Sequence, residues 1–290
     1  MMRAHAKINL TLLVGGRQPD GYHELHTIFQ SLALHDTLDV HERPGPFAIE
    51  CDDPAVPTDS RNLVWRAAAL VWEASGRPGP PSGALVTLCK RIPAQGGLGG
   101  GSSNAAAALV AFERLWHPAM HPEMRLGLAR RLGADVPFFL YGGTAAGAGR
   151  GDELTPLPDL PPHHVVLVFP PFGVPTPDAY RWLDEDRGRD ERHEALPAQE
   201  VHLADGTPIA IANDLEAPVV ARHPEIGRIR DALRAAGADG AALCGSGSTV
   251  FGLFRDAGAA AAAGAALAAA GWRTSITATT GREEAAGFLV

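Results

Sequence analysis

The chain has 290 residues, enough for one large or two ordinary domains. Its formal net charge is −8, and its two lysines are Lys7 and Lys90. This charge argues against a nucleic-acid-binding surface. Its three cysteines, Cys51, Cys89 and Cys244, lie far apart without CxxC spacing, which argues against a disulfide framework or a zinc site and favours a reducing cytoplasm. No apolar run approaches the roughly 20 residues that span a bilayer, and Lys7 interrupts the N-terminus before a signal sequence can form. We therefore expect a cytoplasmic protein that binds neither membranes nor nucleic acids.

The first part of the chain predicts strands. Residues 3–14 alternate apolar and polar side chains, the Gln-Pro-Asp-Gly sequence at 18–21 predicts a turn, and residues 22–34 resume the strand pattern. This arrangement predicts a β-hairpin. Residues 38–42 and 47–51 predict two further short strands.

A helix and a strand lead into a glycine-rich loop. Residues 63–74 predict the helix, and residues 84–90 predict the strand that enters the loop. After the loop and the helix that follows it, residues 123–132 predict another amphipathic helix. The sequence GADVP at 133–137 ends that helix and leaves Asp135 at the break.

A Pro-rich stretch at 155–162 precedes an apolar strand predicted at 165–169. We therefore expect an N-terminal domain of residues 1–156 and a C-terminal domain of residues 157–290. The mixed charge run at 184–194 predicts a solvated loop or a helix end, and we assign it no function.

The C-terminal part predicts two helices and a second glycine-rich loop. Asn213 and Asp214 are candidate helix caps, and residues 226–236 have helical spacing. Residues 241–244 predict a strand that leads into the sequence GSGST, and the alanine-rich residues 257–270 predict a helix by propensity.

The first glycine-rich loop, PAQGGLGGGSSNAAAAL at 93–109, is built for an anion. Glycine allows positive φ and close approach of N–H groups, and the positive end of the following helix points at the same place. A P-loop would require lysine at position 102, and a Rossmann fingerprint would require glycine there. This chain has serine at that position, so neither motif is present. A flexible linker is the alternative, but Ser102, Ser103 and Asn104 offer caps for a helix directly after the loop. The pattern predicts a nucleotide phosphate site.

Three separated segments together resemble the GHMP kinase superfamily: an early lysine strand, the central glycine loop and the C-terminal GSGST sequence. The match narrows through AKINLTLLVGGRQPDGYHELHTIFQSL at 6–32, GADVPFFLYGGTAAGAGRGDEL at 133–154, PTPDAY at 175–180 and AALCGSGSTVFGLF at 241–254. These segments are similar to members that phosphorylate the 2-hydroxyl of a cytidine-diphosphate-linked methylerythritol in the non-mevalonate isoprenoid pathway. Gln95 departs from that pattern, which often has glycine there.

The resemblance implies an α+β fold of two domains, an N-terminal ribosomal-protein-S5-like domain and a C-terminal ferredoxin-like α/β-plait domain, with a catalytic cleft between them. It also implies an enzyme that takes ATP, with Mg²⁺, and a cytidine-diphosphate-linked alcohol as its partners. We name no protein ligand for the metal, and the oligomeric state is left open.

The catalytic residues that the resemblance implies are Lys7 and Asp135. Phosphoryl transfer needs a group that accepts the hydroxyl proton, and Asp135 at a rigid helix break has the carboxylate for it. An N-cap is its alternative role. In the family's frame Lys7 lies beside the aspartate, where its charge keeps the carboxylate ionised and assists the hydroxyl, whereas a lysine in a strand is ordinarily exposed.

The acceptor side is expected to use residues from three segments. Tyr22 and Tyr180 offer aromatic faces that could sandwich a pyrimidine, and His23 could read the base edge, although packing in the core or at the rim is the alternative. Asn9 is expected to contact the polyol or phosphate rather than solvent alone, and Thr176 to add a polar contact. The GSGST loop contributes backbone N–H groups near the substrate phosphates, through Gly245, Ser246 and Gly247.

The expected ATP site is built around the first glycine loop. Ser102 and Ser103 offer hydroxyls to phosphate or Mg²⁺, or cap the helix. Cys244 is interpreted as a small buried residue. The residues assigned to ATP are Asn62, Lys90, Pro93, Gly96, Gly97, Leu98, Gly99, Gly100, Gly101, Ser102 and Ser103.

Two rival functions stay open at this point. One is another small-molecule kinase of the same superfamily, acting on a mevalonate-type alcohol, homoserine or a sugar. Such a substrate would not require the base-binding residues Tyr22, His23 and Tyr180. The other is a non-catalytic nucleotide sensor, which would not require both Lys7 and Asp135.

Overall fold

The computed structural model describes residues 1–19, 21–117, 120–188 and 199–287, which form two β-sheets with helices packed on them. Among these residues no helix is long and apolar enough to cross a membrane. The strands are β1 Met2–Arg17, β2 His23–Pro46, β3 Ala48–Cys51, β4 Ser82–Cys89, β5 Thr144–Ala148, β6 Glu153–Pro156, β7 His164–Phe169, β8 Gln199–His202, β9 Pro208–Asn213, β10 Gly240–Leu243, β11 Val250–Phe254 and β12 Arg273–Ala278. The helices are α1 Leu63–Ala74, α2 Gly100–Trp116, α3 Pro122–Leu132, α4 Val136–Tyr141, α5 Thr176–Gly188, α6 Glu216–Arg222, α7 Pro224–Ala235, α8 Ala257–Ala269 and α9 Arg282–Ala285.

The first sheet has the strand order β3-β4-β2-β1-β9-β8, and β5 and β6 extend from β2. Strands β1 and β2 pair antiparallel, which confirms the predicted hairpin, although Asp20 of its turn lies outside the described residues. Residues 38–42 do not form a separate short strand as predicted. They continue β2, which runs unbroken from His23 to Pro46 because both of its edges are paired.

The second sheet has the ferredoxin-like topology that the resemblance implies. In chain order its strands are β7, β10, β11 and β12, with helices between the first and second and between the third and fourth. Their spatial order is β10-β11-β7-β12, and every pair is antiparallel. This is the split β-α-β arrangement in which the first and third strands are central.

The β8–β9 hairpin belongs by sequence to the predicted C-terminal domain, which begins at residue 157, but lies in the first sheet. There β9 pairs parallel to β1 through Thr11 with Ala212 and Leu12 with Asn213. Residues 199–213 were not predicted as strands. The boundary itself stays a prediction.

Strand β1 lies between two environments because alternate side chains point to opposite faces. Ala6, Ile8 and Leu10 are fully buried in an apolar cluster between the sheets, together with Leu167 and Phe251 of the second sheet. Lys7 and Asn9 therefore point to the other face of β1. This alternation brings polar side chains into the interior near the first glycine loop.

Two predictions about the C-terminal part hold only in part. The N-cap of α6 is Leu215, and Oδ1 of Asn213 accepts from its N–H at 2.9 Å, while the Asn213 amide donates to the carbonyl oxygens of Leu243 and Gly245. Asp214 does not cap the helix: its carboxylate accepts from the N–H of Val14. The charge run at 184–194 is partly the end of α5, but Asp186 in it is buried rather than solvated. Residues 189–198 lie outside the described residues.

Candidate active site

Strand β1 holds Lys7 in a buried position, with 4% of the residue exposed. Its Nζ donates to Oδ1 of Asn9 at 2.7 Å, and Nδ2 of Asn9 donates to Oγ1 of Thr27 on β2 at 2.7 Å. The backbone N–H of Lys7 also donates to the carbonyl of Leu98 in the glycine loop. Asn9, expected to face the acceptor, first serves to orient the ammonium group of Lys7.

Asp135 lies at the N-cap position of α4, but its side chain makes no capping hydrogen bond. Its Oδ2 is instead 3.4 Å from Nζ of Lys7, and 38% of the side chain is exposed. The two residues are thus neighbours, as the family's frame requires. The carboxylate of Asp135 is thus accessible and lies beside a buried cation.

The first glycine loop leaves the N-terminus of α2 without a side-chain cap. The N-cap is Gly99, which has a φ of 70° and accepts the first helical hydrogen bond from Ser103. Ser102 and Ser103 lie inside the first turn, so the prediction that a serine caps the helix is wrong. Because first-turn N–H groups have no acceptor within their own helix, they are available to an anion.

The two glycine-rich loops lie directly against each other. A Cβ on Gly97, which has a φ of 76°, would be 2.0 Å from the carbonyl oxygen of Cys244, and a Cβ on Gly96 would be 2.5 Å from Oγ1 of Thr249. Burial raises the pKa of the Cys244 thiol to about 11, which agrees with its interpretation as an inert small residue. Gln95 adopts a φ of 57°, the left-handed conformation for which glycine is preferred.

Most residues assigned to ATP line one cavity of about 370 Å³, which we call the loop cavity. The Asn62 side chain caps α1 through the N–H of Val64 and donates to the carbonyl of Pro57, which fixes it at the rim. Ser103 does not line the loop cavity: it is 1% exposed, and its hydroxyl has no hydrogen-bond partner among the described residues. The assigned residues that do line it are Asn62, Lys90, Pro93, Gly96, Gly97, Leu98, Gly99, Gly100, Gly101 and Ser102.

Lys90 does not point freely into the loop cavity. It forms an ion pair with the fully buried Asp36 and donates to Oδ1 of Asn104 at 3.1 Å. Asp36 also accepts from the N–H groups of Arg91 at 2.6 Å and Ile92 at 2.8 Å. This network anchors the strand that enters the glycine loop to the first turns of α2.

The acceptor residues line two adjoining cavities. The inner cavity, about 160 Å³, contains Lys7 and Asp135 and is also lined by Asn9, Thr176, Tyr180, Gly245 and Ser246. The outer cavity, about 820 Å³, is lined by Tyr22, His23, Asp135, Thr176 and Tyr180 among others. The hydroxyls of Thr176 and Ser246 are 2.8 Å apart and join α5 to the GSGST loop. Gly247, also assigned to the substrate, lines neither cavity.

The aromatic residues are grouped differently from the expected sandwich. Tyr180 stacks on His23, with ring centroids 5.2 Å apart, and burial, with a smaller contribution from Asp135, raises the pKa of Tyr180 to about 12. The guanidinium of Arg150 lies 3.6 Å over the Tyr22 ring. Each tyrosine therefore has one ring face against a neighbouring side chain, and both tyrosines line the outer cavity.

Comparison with known proteins matches both parts of this architecture. The family model described as GHMP kinases N terminal domain matches residues 62–143, and the model described as GHMP kinases C terminal matches residues 202–273. A protein of Deinococcus radiodurans named 4-diphosphocytidyl-2-C-methyl-D-erythritol kinase is 45% identical over 91% of this chain and 87% of its own. One of the same name from Pelotomaculum thermopropionicum is 43% identical over 87% and 88%. The chain belongs to the 4-diphosphocytidyl-2-C-methyl-D-erythritol kinase family.

Solved structures agree with this kinase family. A crystal structure titled 4-(cytidine 5'-diphospho)-2C-methyl-D-erythritol kinase superposes with a TM-score of 0.79 at 40% identity, covering 97% of this chain and 99% of that one. Homoserine kinase from Cytophaga hutchinsonii superposes with a TM-score of 0.63 at 19% identity, over 98% and 97%, and shows the shared fold. The chain is therefore a small-molecule kinase with the GHMP fold.

Sequence reasoning missed three charged residues of this kinase's site: Asp36, Arg150 and Asp184. Asp36 lies within a strand, where an isolated aspartate looks like a solvent-facing residue. Arg150 is part of the segment GAGRGDEL, whose glycines gave a signal for a close approach, and Asp184 begins the charge run. Among the described residues no group of three or more His, Cys, Asp or Glu side chains could hold a metal ion.

Proposed function

We propose that the chain transfers the γ-phosphoryl group of ATP to the 2-hydroxyl of 4-diphosphocytidyl-2-C-methyl-D-erythritol, giving the 2-phosphate and ADP in the non-mevalonate isoprenoid pathway. The observation that carries the proposal is the Lys7–Asp135 pair, 3.4 Å apart in the inner cavity. That cavity shares Gly97 and Gly99 with the loop cavity and Asp135, Thr176 and Tyr180 with the outer cavity. A donor phosphate and an acceptor alcohol can thus meet at the pair.

ATP is assigned to the loop cavity. The uncapped first turn of α2 offers N–H groups and a positive dipole end to its phosphates, which replaces the lysine of a P-loop. Lys90 supports this site from its ion pair with Asp36 and adds positive charge beside the start of the helix. Asn62 and Pro93 line the part of the cavity assigned to the nucleoside.

Asp135 is assigned as the proton acceptor and Lys7 as its electrostatic partner. The acceptor hydroxyl, lying between them, would lose its proton to the carboxylate as its oxygen attacks the γ-phosphorus. The buried ammonium of Lys7, oriented by Asn9, would stabilise the negative charge that develops on that oxygen.

The residues present fit a magnesium ion carried by ATP. Magnesium binds through one or two protein oxygens together with phosphates and retains several waters, so it does not require a cluster of acidic residues. Ser102, which lines the loop cavity at the start of α2, would offer its hydroxyl to the ion, whereas the orphaned hydroxyl of Ser103 is buried outside that cavity. Bound there with ATP, the ion would neutralise phosphate charge.

The cytidine end is assigned to the outer cavity. Tyr180, held against His23, gives a rigid aromatic face for a pyrimidine, and Tyr22 gives a second one. These rings favour the cytidylyl alcohol over mevalonate, homoserine or a sugar, none of which has a base to stack. The paired Lys7 and Asp135 argue against a non-catalytic sensor.

The test is release of ADP from ATP with the cytidine diphosphate alcohol, compared with mevalonate, homoserine and galactose under the same conditions. We expect turnover with the cytidylyl alcohol and at most background rates with the others. Turnover with mevalonate, homoserine or galactose instead would assign the chain to another GHMP activity. ATP binding without turnover of any acceptor would support the sensor.

A further inference from the structure

Asp184 holds His23 in a single orientation in the outer cavity. Nε2 of His23 lies 2.8 Å from Oδ1 of Asp184, and the histidine is 9% exposed. One face of its ring stacks on Tyr180 with an interplanar angle of 28°. Because one ring nitrogen is bonded and one face is packed, the remaining nitrogen has a defined direction.

The carboxylate also decides which ring nitrogen carries the proton. An ionised carboxylate accepts hydrogen bonds, and a neutral imidazole has one donor and one acceptor nitrogen. In the neutral ring, the contact to Asp184 therefore places the proton on Nε2 and leaves Nδ1 as an acceptor. Nδ1 makes no hydrogen bond to any described residue, and His23 lines the outer cavity.

We propose that Asp184 is a positioning residue for base specificity: by keeping Nδ1 of His23 an acceptor, it selects a pyrimidine with an exocyclic amino group. The proposal rests on the proposed function, which assigns the base to the outer cavity. Cytosine presents amino N–H donors where uracil presents the carbonyl oxygen O4. A uracil oxygen facing Nδ1 would leave two acceptors unpaired, and a site built for a hydrogen bond rejects a ligand that cannot form it.

Asp184 acts through His23 and not on the reacting atoms. The pair that surrounds the acceptor hydroxyl is Lys7 and Asp135 in the inner cavity, which Asp184 does not line. Its substitution should therefore change discrimination between bases more than the rate of phosphoryl transfer at saturation. This separates a positioning role from a general loss of activity.

The experiment compares CDP with UDP, which differ at the base edge, by calorimetric titration of the full chain. The wild type should bind CDP about tenfold or more tightly than UDP, a ratio that corresponds to ~1.4 kcal/mol per decade. In Asp184→Asn this preference should fall about tenfold, because an amide can donate to Nε2 as well as accept from it. Asp178→Asn is the matched control: it makes the same change on α5, at a carboxylate that pairs with Arg181, and should keep the preference.

A second measurement reports the proton directly. In ¹⁵N NMR of the histidine rings, with the His23 signals assigned by their loss in His23→Gln, Nε2 should appear protonated and Nδ1 unprotonated in the wild type. Asp184→Asn should move both signals toward a tautomer mixture. Asp184→Glu keeps a carboxylate and should keep the wild-type ¹⁵N signals and the preference for CDP over UDP. If the asparagine variant does not fold, the wild-type spectrum alone tests whether the proton lies on Nε2.

The outcomes separate this inference from the proposed function. Equal affinity for CDP and UDP in the wild type, no binding of either, an unchanged preference in Asp184→Asn, or a proton on Nδ1 would each overturn the inference, while turnover of the cytidylyl alcohol would still stand. If that alcohol is not phosphorylated but an Asp184-dependent preference for CDP is measured, the function is wrong and the inference holds.

Discussion

Substitution of Gly97 by alanine should cut both activity and stability. The added Cβ would lie 2.0 Å from the carbonyl oxygen of Cys244, where contacts under 3.0 Å force a shift, so the two glycine-rich loops must separate by about 1 Å. A misplacement of about 1 Å in a phosphoryl-transfer site costs on the order of 100-fold in rate. The positive φ and the overpacking together should cost about 2 to 5 kcal/mol in the free energy of unfolding.

The assay is steady-state release of ADP, with unfolding in urea measured in parallel. Gly127→Ala is the matched control, because Gly127 is exposed on α3 and its added Cβ would meet nothing within 4 Å. That variant should keep full activity and gain about 0.5 to 1 kcal/mol of stability. If Gly97→Ala kept most of its kcat/KM, the close approach of the loops would not be a requirement of the active site.

Three further substitutions test separate parts of the site. Lys7→Met should reduce kcat strongly while its apolar stem preserves packing; a melting temperature that fell in step with activity would make Lys7 structural. Tyr180→Ala should raise the KM for the cytidylyl substrate about tenfold or more, since base stacking is worth roughly 1 to 3 kcal/mol, while the KM for ATP stays constant; a rise for ATP instead would move the ring to the adenine site. Asp36→Ala should lower the free energy of unfolding by about 3 to 5 kcal/mol, because it leaves the Lys90 ammonium unpaired in a mostly buried position; a loss under ~1 kcal/mol in urea unfolding would contradict that.

Local signals were sufficient where a segment's own residues determine its structure. Helix α1 was predicted with the observed bounds, because its apolar periodicity is clear. The β8–β9 hairpin was missed, although Asp205-Gly206 between alternating residues is a turn signal. Its place in the first sheet depends on pairing with β1, about 200 residues away in sequence, which no local pattern encodes.

The site was predicted through resemblance more than through spacing. Lys7 and Asp135 lie 3.4 Å apart, but nothing in a single sequence indicates that positions so distant along the chain meet. Asp36 and Asp184 were missed for the same reason, since their roles come from tertiary partners, Lys90 and His23 respectively. The serine cap of α2 was wrong because glycine in the left-handed conformation can itself begin a helix.

The most direct test of the central claim is the turnover number of Asp135→Asn with ATP and 4-diphosphocytidyl-2-C-methyl-D-erythritol. The substitution removes a proton acceptor but nearly preserves its shape, and no capping hydrogen bond is lost. We predict a fall in kcat of about 10² to 10⁴-fold, with an unchanged melting temperature and unchanged affinity for ATP. Retention of most of the wild-type kcat would contradict the account and leave Asp135 as an N-terminal residue of α4.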